Sequence, residues 1–347
     1  MCTVPLIDLR AAPAANAGAV DAALCEVGFF VIAGHGVPAA LTRRVAAACH
    51  AFFERPVAQK EALRSSARGS ARGYVSFGVS ALARTLGAAA PGDYKESFGM
   101  GPPRFDPSVR PDARFHAANL WPEFDGELRA ALEAWYAAME GVGRQLQHLF
   151  ALALGLPADW FDAAFVGHNS TLRALYYPHQ LTQPQPGQVR AGEHTDYGAW
   201  TILRGEDVPG GLQVRSRAGT WLDIHAPADC FVINVGDLMM RWTNDRWLSN
   251  LHRVANPPDG EAGCARLALA YFANPREDAL IAALPTCTGP ERPVRHAPIL
   301  AGEHRLGKIR AAEARGAAPA PAEAAASAAA AGAADAVTQV AGGARVG

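Results

Sequence analysis

Between residues 171 and 273 the chain is broken into short apolar runs, TLRALYY, AWTILR, GLQVRS, CFVINV and RLALAYF. Turn-rich segments, among them QPQPGQ, DVPGG and NPPDG, stand between them. Proline, glycine, asparagine and aspartate at those places stop extended segments and reverse the chain. Many short strands separated in this way favour an antiparallel double sheet or jelly roll over a β-α-β domain.

The preceding half has a different texture. VPLIDL carries a strand signal, a helical approach follows through Val20, Leu24 and Cys25, and GFFVI forms a second strand before the punctuating GHGVP. A helical pattern returns from Leu41 to Phe53. RSSARGSARGY and GVSALARTLGAAAPGDY read as irregular connections, one of them suited to lie over a site, since loops on a rigid scaffold commonly supply contacts. The clearest helix lies near residues 128–154, where Trp135, Met139, Val142, Leu146, Leu149 and Ala153 follow each other at three or four residues and share one face. Gly155 and Pro157 stop it, and its apolar face is expected to cover the β core. The organisation expected is an N-terminal α/β region over residues 1–160, a β core over 161–310, and a tail over 311–347. The tail is so rich in Ala, Pro and Gly that it reads as disordered: small side chains bury little surface to offset ordering.

Composition narrows the function classes. The 347 residues suffice for one large domain or two ordinary ones, half are hydrophobic, and the formal charge of −1 comes with no basic stripe. That argues against nucleic-acid binding, which rests on neutralising phosphates. No run is long enough to span a bilayer and no export signal is visible, so a membrane partner is not expected and the cytoplasm is. Six cysteines without a CxxC pair read as reduced thiols. A monomer fits, although the sequence does not set the oligomeric state. GVSALA lacks the last glycine of a nucleophile elbow, and NAGAV lacks the spacing of a dinucleotide fingerprint.

GEHTDYGAWTIL is the sharpest segment. On an extended strand His194 and Asp196 point to the same side, because the side-chain period is two, and they can chelate one metal. SNLHRV brings His252 from beyond several strands as a third ligand. Two imidazoles and one carboxylate leave coordination positions open, which suits Fe(II) activating O2; zinc is the alternative metal. An HxD pair alone is weak evidence in a chain with 11 histidines. Arg266 opens RLALAYF and shares a face with Ala268 and Ala270. Directed into a barrel, its fork matches the carboxylate of a diacid co-substrate; the alternatives are a structural ion pair or a solvent-facing side chain.

With these residues in view, the chain resembles the isopenicillin N synthase-like family of Fe(II)- and usually 2-oxoglutarate-dependent oxygenases. The resemblance spans residues 3–310: VPLIDLR, EVGFFVIAGHGVP, RGY, DYKESFGMG, NLWP, TLRALYYP, HTDYGAWTIL, GGLQV, NVGDLMMRWTNDRWLSNLHRV and RLALAYF. It implies a distorted double-stranded β-helix (jelly roll, cupin-like) with supporting helices, and Fe(II) held by the catalytic His194, Asp196 and His252. By the same resemblance Arg266 binds the distal carboxylate of 2-oxoglutarate, with Tyr177 donating to it. Two positions depart from the pattern: Ala268 replaces the serine of an RxS pair, and Leu175 replaces an asparagine. The implied reaction couples oxidative decarboxylation of 2-oxoglutarate to hydroxylation of an unactivated C–H bond in a small metabolite, in specialised metabolism. Tyr197, Phe272, Phe98 and Tyr74 are the expected pocket residues, with Phe77, Lys95 and Trp200 as further neighbours. Two other readings stay open: an Fe(II) oxidase or cyclase whose substrate carboxylate meets Arg266 without 2-oxoglutarate, and a cupin-like binding protein without turnover.

Overall fold

All of the apolar runs named above become strands in a computed structural model, which describes residues 4–65, 71–88, 90–104, 117–180, 183–258 and 264–317. In chain order the strands and helices are β1 (Leu6–Asp8), α1 (Pro13–Glu26), β2 (Phe29–Ala33), α2 (Ala39–Phe53), α3 (Val57–Glu61), β3 (Gly73–Val75), β4 (Glu96–Met100) and α4 (Gly126–Ala153). They continue with α5 (Asp162–Phe165), β5 (Thr171–Tyr177), β6 (Ala191–His194), β7 (Trp200–Gly205), β8 (Leu212–Arg215), β9 (Trp221–Asp223) and β10 (Phe231–Val235). The last are α6 (Asp237–Trp242), β11 (His252–Val254), β12 (Arg266–Ala273), β13 (Leu280–Ile281), β14 (Ile299–Leu300) and α7 (Ala301–Ala317).

Eight strands form one sheet in the order β1-β2-β10-β7-β12-β5-β4-β3, and a second sheet has the order β6-β11-β8-β9. Only β1 and β2 pair in parallel within them. The connection from β6 to β7 and that from β10 to β11 both carry the chain from one sheet to the other, so a double-stranded β-helix results. The N-terminal region does more than pack against this core: β1 and β2 extend one side of the large sheet and β3 and β4 the other.

Alternation along the central strands divides apolar residues between two layers. On β12, Leu267, Leu269 and Tyr271 face the helices and join the main core with Phe150, Trp135 and Tyr136 of α4 and Phe52 of α2. The opposite face, Arg266, Ala268, Ala270 and Phe272, looks toward the small sheet. Helix α4 begins where Asp125 caps it, its side chain accepting from the Leu128 N–H at 3.0 Å. It ends at Gly155, whose φ of 69° lies in the left-handed region.

The C-terminal boundary differs from expectation. Helix α7 runs on to Ala317, whereas composition places the start of the tail at residue 311. The alanines there have high helix propensity, and the helix is anchored upstream: Lys308 Nζ lies 2.8 Å from Asp237 Oδ2, and Ala301 and Arg305 are buried. The rest of the expected tail, from residue 318, lies outside the described residues. The described cysteines, Cys25, Cys49, Cys230, Cys264 and Cys287, are free thiols. No helix of the described residues is long and apolar enough to cross a membrane.

Candidate metal centre and active-site cavity

His194 and His252 are directly opposed partners in the antiparallel pair β6–β11. Their rings lie 4.2 Å apart between centroids, tilted by 50°. Asp196 is not on an extended strand, contrary to the expectation from spacing, because β6 ends at His194. The chain turns there toward the large sheet, and Asp196 still meets the histidines: its Oδ1 is 3.9 Å from His194 Nε2 and 3.8 Å from His252 Nε2. One donor atom from each residue lies within 4.8 Å of the other two, the only such group of three among the described residues.

Hydrogen bonds around the triad fix what each ligand presents. Nδ1 of His194 lies 2.8 Å from the Gly192 carbonyl, and Nδ1 of His252 lies 3.1 Å from that of Asn250. A carbonyl only accepts, so both Nδ1 atoms carry the proton and both Nε2 lone pairs are free toward the centre. Burial, reinforced by the neighbouring His252, pushes the pKa of His194 down to about 3 and keeps its imidazole neutral. Burial alone would raise the Asp196 carboxyl; His252, His194 and donors from Asn234 and Thr201 outweigh it and hold the group below the usual carboxylate range. Those donors, Thr201 Oγ1 at 2.5 Å and Asn234 Nδ2 at 2.8 Å, both use Oδ2 and leave Oδ1 for a metal. Two neutral nitrogens and one anionic oxygen on one side fit a divalent ion with open coordination positions, the set favoured by Fe(II).

A cavity of about 280 Å³ opens from the triad between the two sheets. At one end stands Arg266, buried, its Nε without a partner and its guanidinium 5.5 Å from the Tyr177 ring centre. Its strand neighbour across β5 is Tyr177. Gly205 makes the space: a Cβ there would lie 2.3 Å from Arg266 Nη2. Burial lowers the pKa of Arg266 and pushes the Tyr177 hydroxyl up to about 12. Between this end and the triad, Ala268, Leu175, Leu203, Ala191 and Val254 form an apolar collar.

Residues 168–275 match the family model described as the 2OG-Fe(II) oxygenase superfamily, and residues 4–124 match the N-terminal model described as non-haem dioxygenase in morphine synthesis. Validamycin A dioxygenase of Streptomyces hygroscopicus subsp. limoneus is 34% identical over 304 residues, which cover 84% of this chain and 82% of that protein. The chain belongs to the 2OG-Fe(II) oxygenase superfamily. Solved structures agree with the fold. A Caulobacter crescentus 2OG-Fe(II) oxygenase family protein superposes with a TM-score of 0.79 at 32% identity, covering 89% of this chain and 98% of that one. A full-length Neurospora crassa protein in complex with alpha-KG gives 0.77 at 29% identity, covering 88% and 96%.

The oxygenase is thus an Fe(II)- and 2-oxoglutarate-dependent enzyme that uses O2 and acts on a small molecule, with a His-Asp-His facial triad. The metal triad and that membership together favour turnover with 2-oxoglutarate over the binding-protein reading and the reading without 2-oxoglutarate.

The remaining pocket expectations divide by strand parity. Tyr197 and Phe272 line the cavity of the oxygenase. Tyr74 and Phe98 do not: they lie on the helix-facing side of β3 and β4, packed on Phe52, and the Tyr74 hydroxyl donates to Glu96 Oε2. Phe98 pairs with Ala174, whose side chain faces the core, whereas the cavity-facing residues of β5 are Thr171, Arg173, Leu175 and Tyr177. Trp200 is likewise in the helix-facing core against Phe150 and Phe165. Phe77 is surface-exposed against Tyr94. Lys95 lines the cavity, as a buried ammonium 2.9 Å from Asp93 Oδ2. The irregular connection expected over a site is there: Ser80 and Leu82 reach the cavity.

Sequence reasoning missed Arg173 and Arg305 of the lining and the buried Arg190 beside it. Arg190 donates to the carbonyls of Pro209, Gly210 and Cys264, so its charge clamps loops around the Arg266 end. Arg173 had a usable signal, since it shares strand parity with Tyr177. Arg305 had none, because α7 reaches the cavity only through the tertiary fold.

Proposed function

We propose that His194 Nε2, Asp196 Oδ1 and His252 Nε2 hold the Fe(II), and that Arg266 with the Tyr177 hydroxyl receives the distal carboxylate of 2-oxoglutarate. The carrying observation is the unpaired guanidinium of Arg266, buried at one end of a cavity whose other wall is the triad. A buried cation without an anion is costly, and a carboxylate that arrives with the co-substrate relieves that cost at the moment of binding. Ala268 contributes no hydroxyl, so recognition at this end rests on the arginine fork and on Tyr177.

When bound, the iron supplies the redox chemistry that the side chains lack. The protein's own contribution is placement. The Nδ1–carbonyl bonds hold both imidazoles in the ligating tautomer, Thr201 and Asn234 orient the carboxylate, and the collar of Ala268, Leu175, Leu203 and Val254 keeps water from the co-substrate. Tyr197 and Phe272 supply apolar surface for the substrate carbon to be oxidised.

Hydroxylation of a small metabolite is the reaction this arrangement serves best. The likeness to Validamycin A dioxygenase supports a small specialised metabolite as substrate, and the front motifs fit the isopenicillin N synthase-like branch of the superfamily. An N-terminal α/β region over residues 1–160, a β core from residue 161 that is closed by α7, and a cytoplasmic location complete the reading. Release of labelled CO2 from 1-labelled 2-oxoglutarate with Fe(II) tests it. Turnover is expected in the native enzyme, absent in His252→Ala, and shifted to higher 2-oxoglutarate in Arg266→Lys, which keeps charge but loses the fork. A co-substrate requirement unchanged in Arg266→Lys and Arg266→Ala would remove Arg266 from the role.

A further inference from the structure

Four cationic side chains line the cavity: Lys95, Arg173, Arg266 and Arg305. Two have neutralising neighbours. Lys95 pairs with Asp93, and Glu277 offsets Arg305 on α7. Arg266 and Arg173 have neither a hydrogen bond nor an ion pair among the described residues. If Arg266 serves the co-substrate, one unsatisfied guanidinium remains.

Arg173 sits in the middle of β5, paired with Ala270 of β12 on one side and with Gly99 of β4 on the other. Ala270 carries only a methyl group beside it, and over Gly99 the Ala71 carbonyl fills the place of a side chain, with Arg173 Cγ 3.7 Å from where a Cβ would stand. Tyr177, which pairs with Arg266, is four residues along the same face, roughly 14 Å away by strand rise. The surroundings make its charge more conspicuous. Lys95 and the buried Arg72 lie close enough for Arg173 to disfavour their protonated forms, and Asn169 Oδ1 is spent on Arg72 at 3.3 Å. The carboxylate beside Lys95, Asp93, is already engaged by Lys95, Ser80, Leu82 N–H and Gly192 N–H. A fold that gathers these cations at one wall and leaves Arg173 unpaired has a gap shaped for an anion.

We propose that Arg173 is the recognition residue for an anionic group on the primary substrate, a carboxylate or a phosphate monoester, with the apolar part of that substrate lying toward Phe272 and Tyr197. This inference rests on the assignment of Arg266 to 2-oxoglutarate. The two arginines then divide two anions between them, one at each position on the same strand pair, and a substrate without its anion covers the half-buried guanidinium of Arg173 and leaves it unpaired in the complex. Discrimination against neutral analogues follows chiefly from that penalty.

The test uses full-length protein under anaerobic conditions, loaded with Fe(II) and saturated with 2-oxoglutarate so that Arg266 is occupied. Calorimetric titration is made with straight-chain and aromatic monocarboxylates, their primary amides, and matched phosphate monoesters. The native enzyme is expected to prefer an acid or a phosphate over the amide by about tenfold or more, and Arg173→Gln to abolish the preference while the amide binds as before. Whichever anion shows the larger preference identifies the group. The melting temperature of Arg173→Gln is expected to equal or exceed that of the native protein, because removing an unpaired desolvated charge relieves a cost; a structural arginine would lower it. Equal binding of acids, phosphates and amides by the native enzyme overturns the proposal, as does a preference that survives in Arg173→Gln. The 2-oxoglutarate titration separates the two readings. Its loss in Arg266→Ala with retention in Arg173→Gln supports the division of roles, and the reverse pattern would overturn both.

Discussion

Thr201 Oγ1 on β7 donates to Asp196 Oδ2, so the carboxylate of the metal triad is held by a strand of the sheet opposite the one that carries both histidines. The iron site therefore joins the two layers of the double-stranded β-helix, and its geometry depends on their spacing. With Asn234 sharing the same oxygen, the ligand has one orientation available to it.

Thr201→Val removes that donor at nearly constant volume. Metal affinity is expected to fall by about 10–100-fold, as it does when outer-shell partners of ligands are lost, without loss of 2-oxoglutarate binding at saturating Fe(II). Titration of apo protein with Fe(II) measures it.

Gly205→Ala places a Cβ where Arg266 Nη2 now lies, 2.3 Å away. Backbone strain is not involved, since no left-handed φ occurs at this glycine. The arginine must withdraw, and half-saturation by 2-oxoglutarate is expected to rise by about tenfold while Fe(II) affinity stays unchanged. Steady-state measurement of the co-substrate KM checks this.

Tyr74→Phe separates a packing role from a pocket role. The Tyr74 hydroxyl and Lys60 both serve the buried Glu96, so its loss is expected to cost about 1–2 kcal/mol in denaturant unfolding. Co-substrate KM and metal affinity are expected to stay at native values. A change in either would return Tyr74 to the cavity.

His50 on α2 lies 2.9 Å from Glu206, the carboxylate that also accepts from the Leu267 N–H beside Arg266. The hydrogen bond to Glu206 raises the pKa of His50 above its ordinary 6.5, despite burial. Its contribution to stability is therefore complete below that ordinary value and fades as pH rises through the elevated folded value. For Glu206, burial pushes upward but His50 and the Leu267 N–H prevail, so its pKa is depressed and its contribution fades only as pH falls through the folded value. Native melting temperature is expected to fall on going from pH 6 to pH 8 by more than that of His50→Gln. Parallel curves for the two proteins would contradict the link.

Much of this could be read from sequence because two periodicities carried it. The spacing of Trp135, Met139, Val142 and Leu146 announced α4, and the punctuated runs announced the strands. His194 and Asp196 were found by spacing and His252 by its place after further strands, although Asp196 reaches the site by a turn and not by strand alternation. The misplacements have one cause. Tyr74 and Phe98 stand near loops and strand ends, but which face of β3 and β4 looks inward depends on pairing with β5, and pairing is not written locally. Tyr177 came from the family resemblance; strand parity with it places Arg173 on the same cavity face, two steps of alternation earlier. Arg305 needed the course of α7, which a biased C-terminal composition concealed.

The central claim is that the triad and Arg266 together form one site for Fe(II) and 2-oxoglutarate. Its most direct measurement is the visible metal-to-ligand charge-transfer absorption when 2-oxoglutarate is titrated into anaerobic Fe(II)-loaded protein. A new band is expected, absent in His194→Ala and displaced to higher 2-oxoglutarate in Arg266→Ala. Iron bound at full occupancy with no band at saturating 2-oxoglutarate, or a band indifferent to Arg266, would contradict the account.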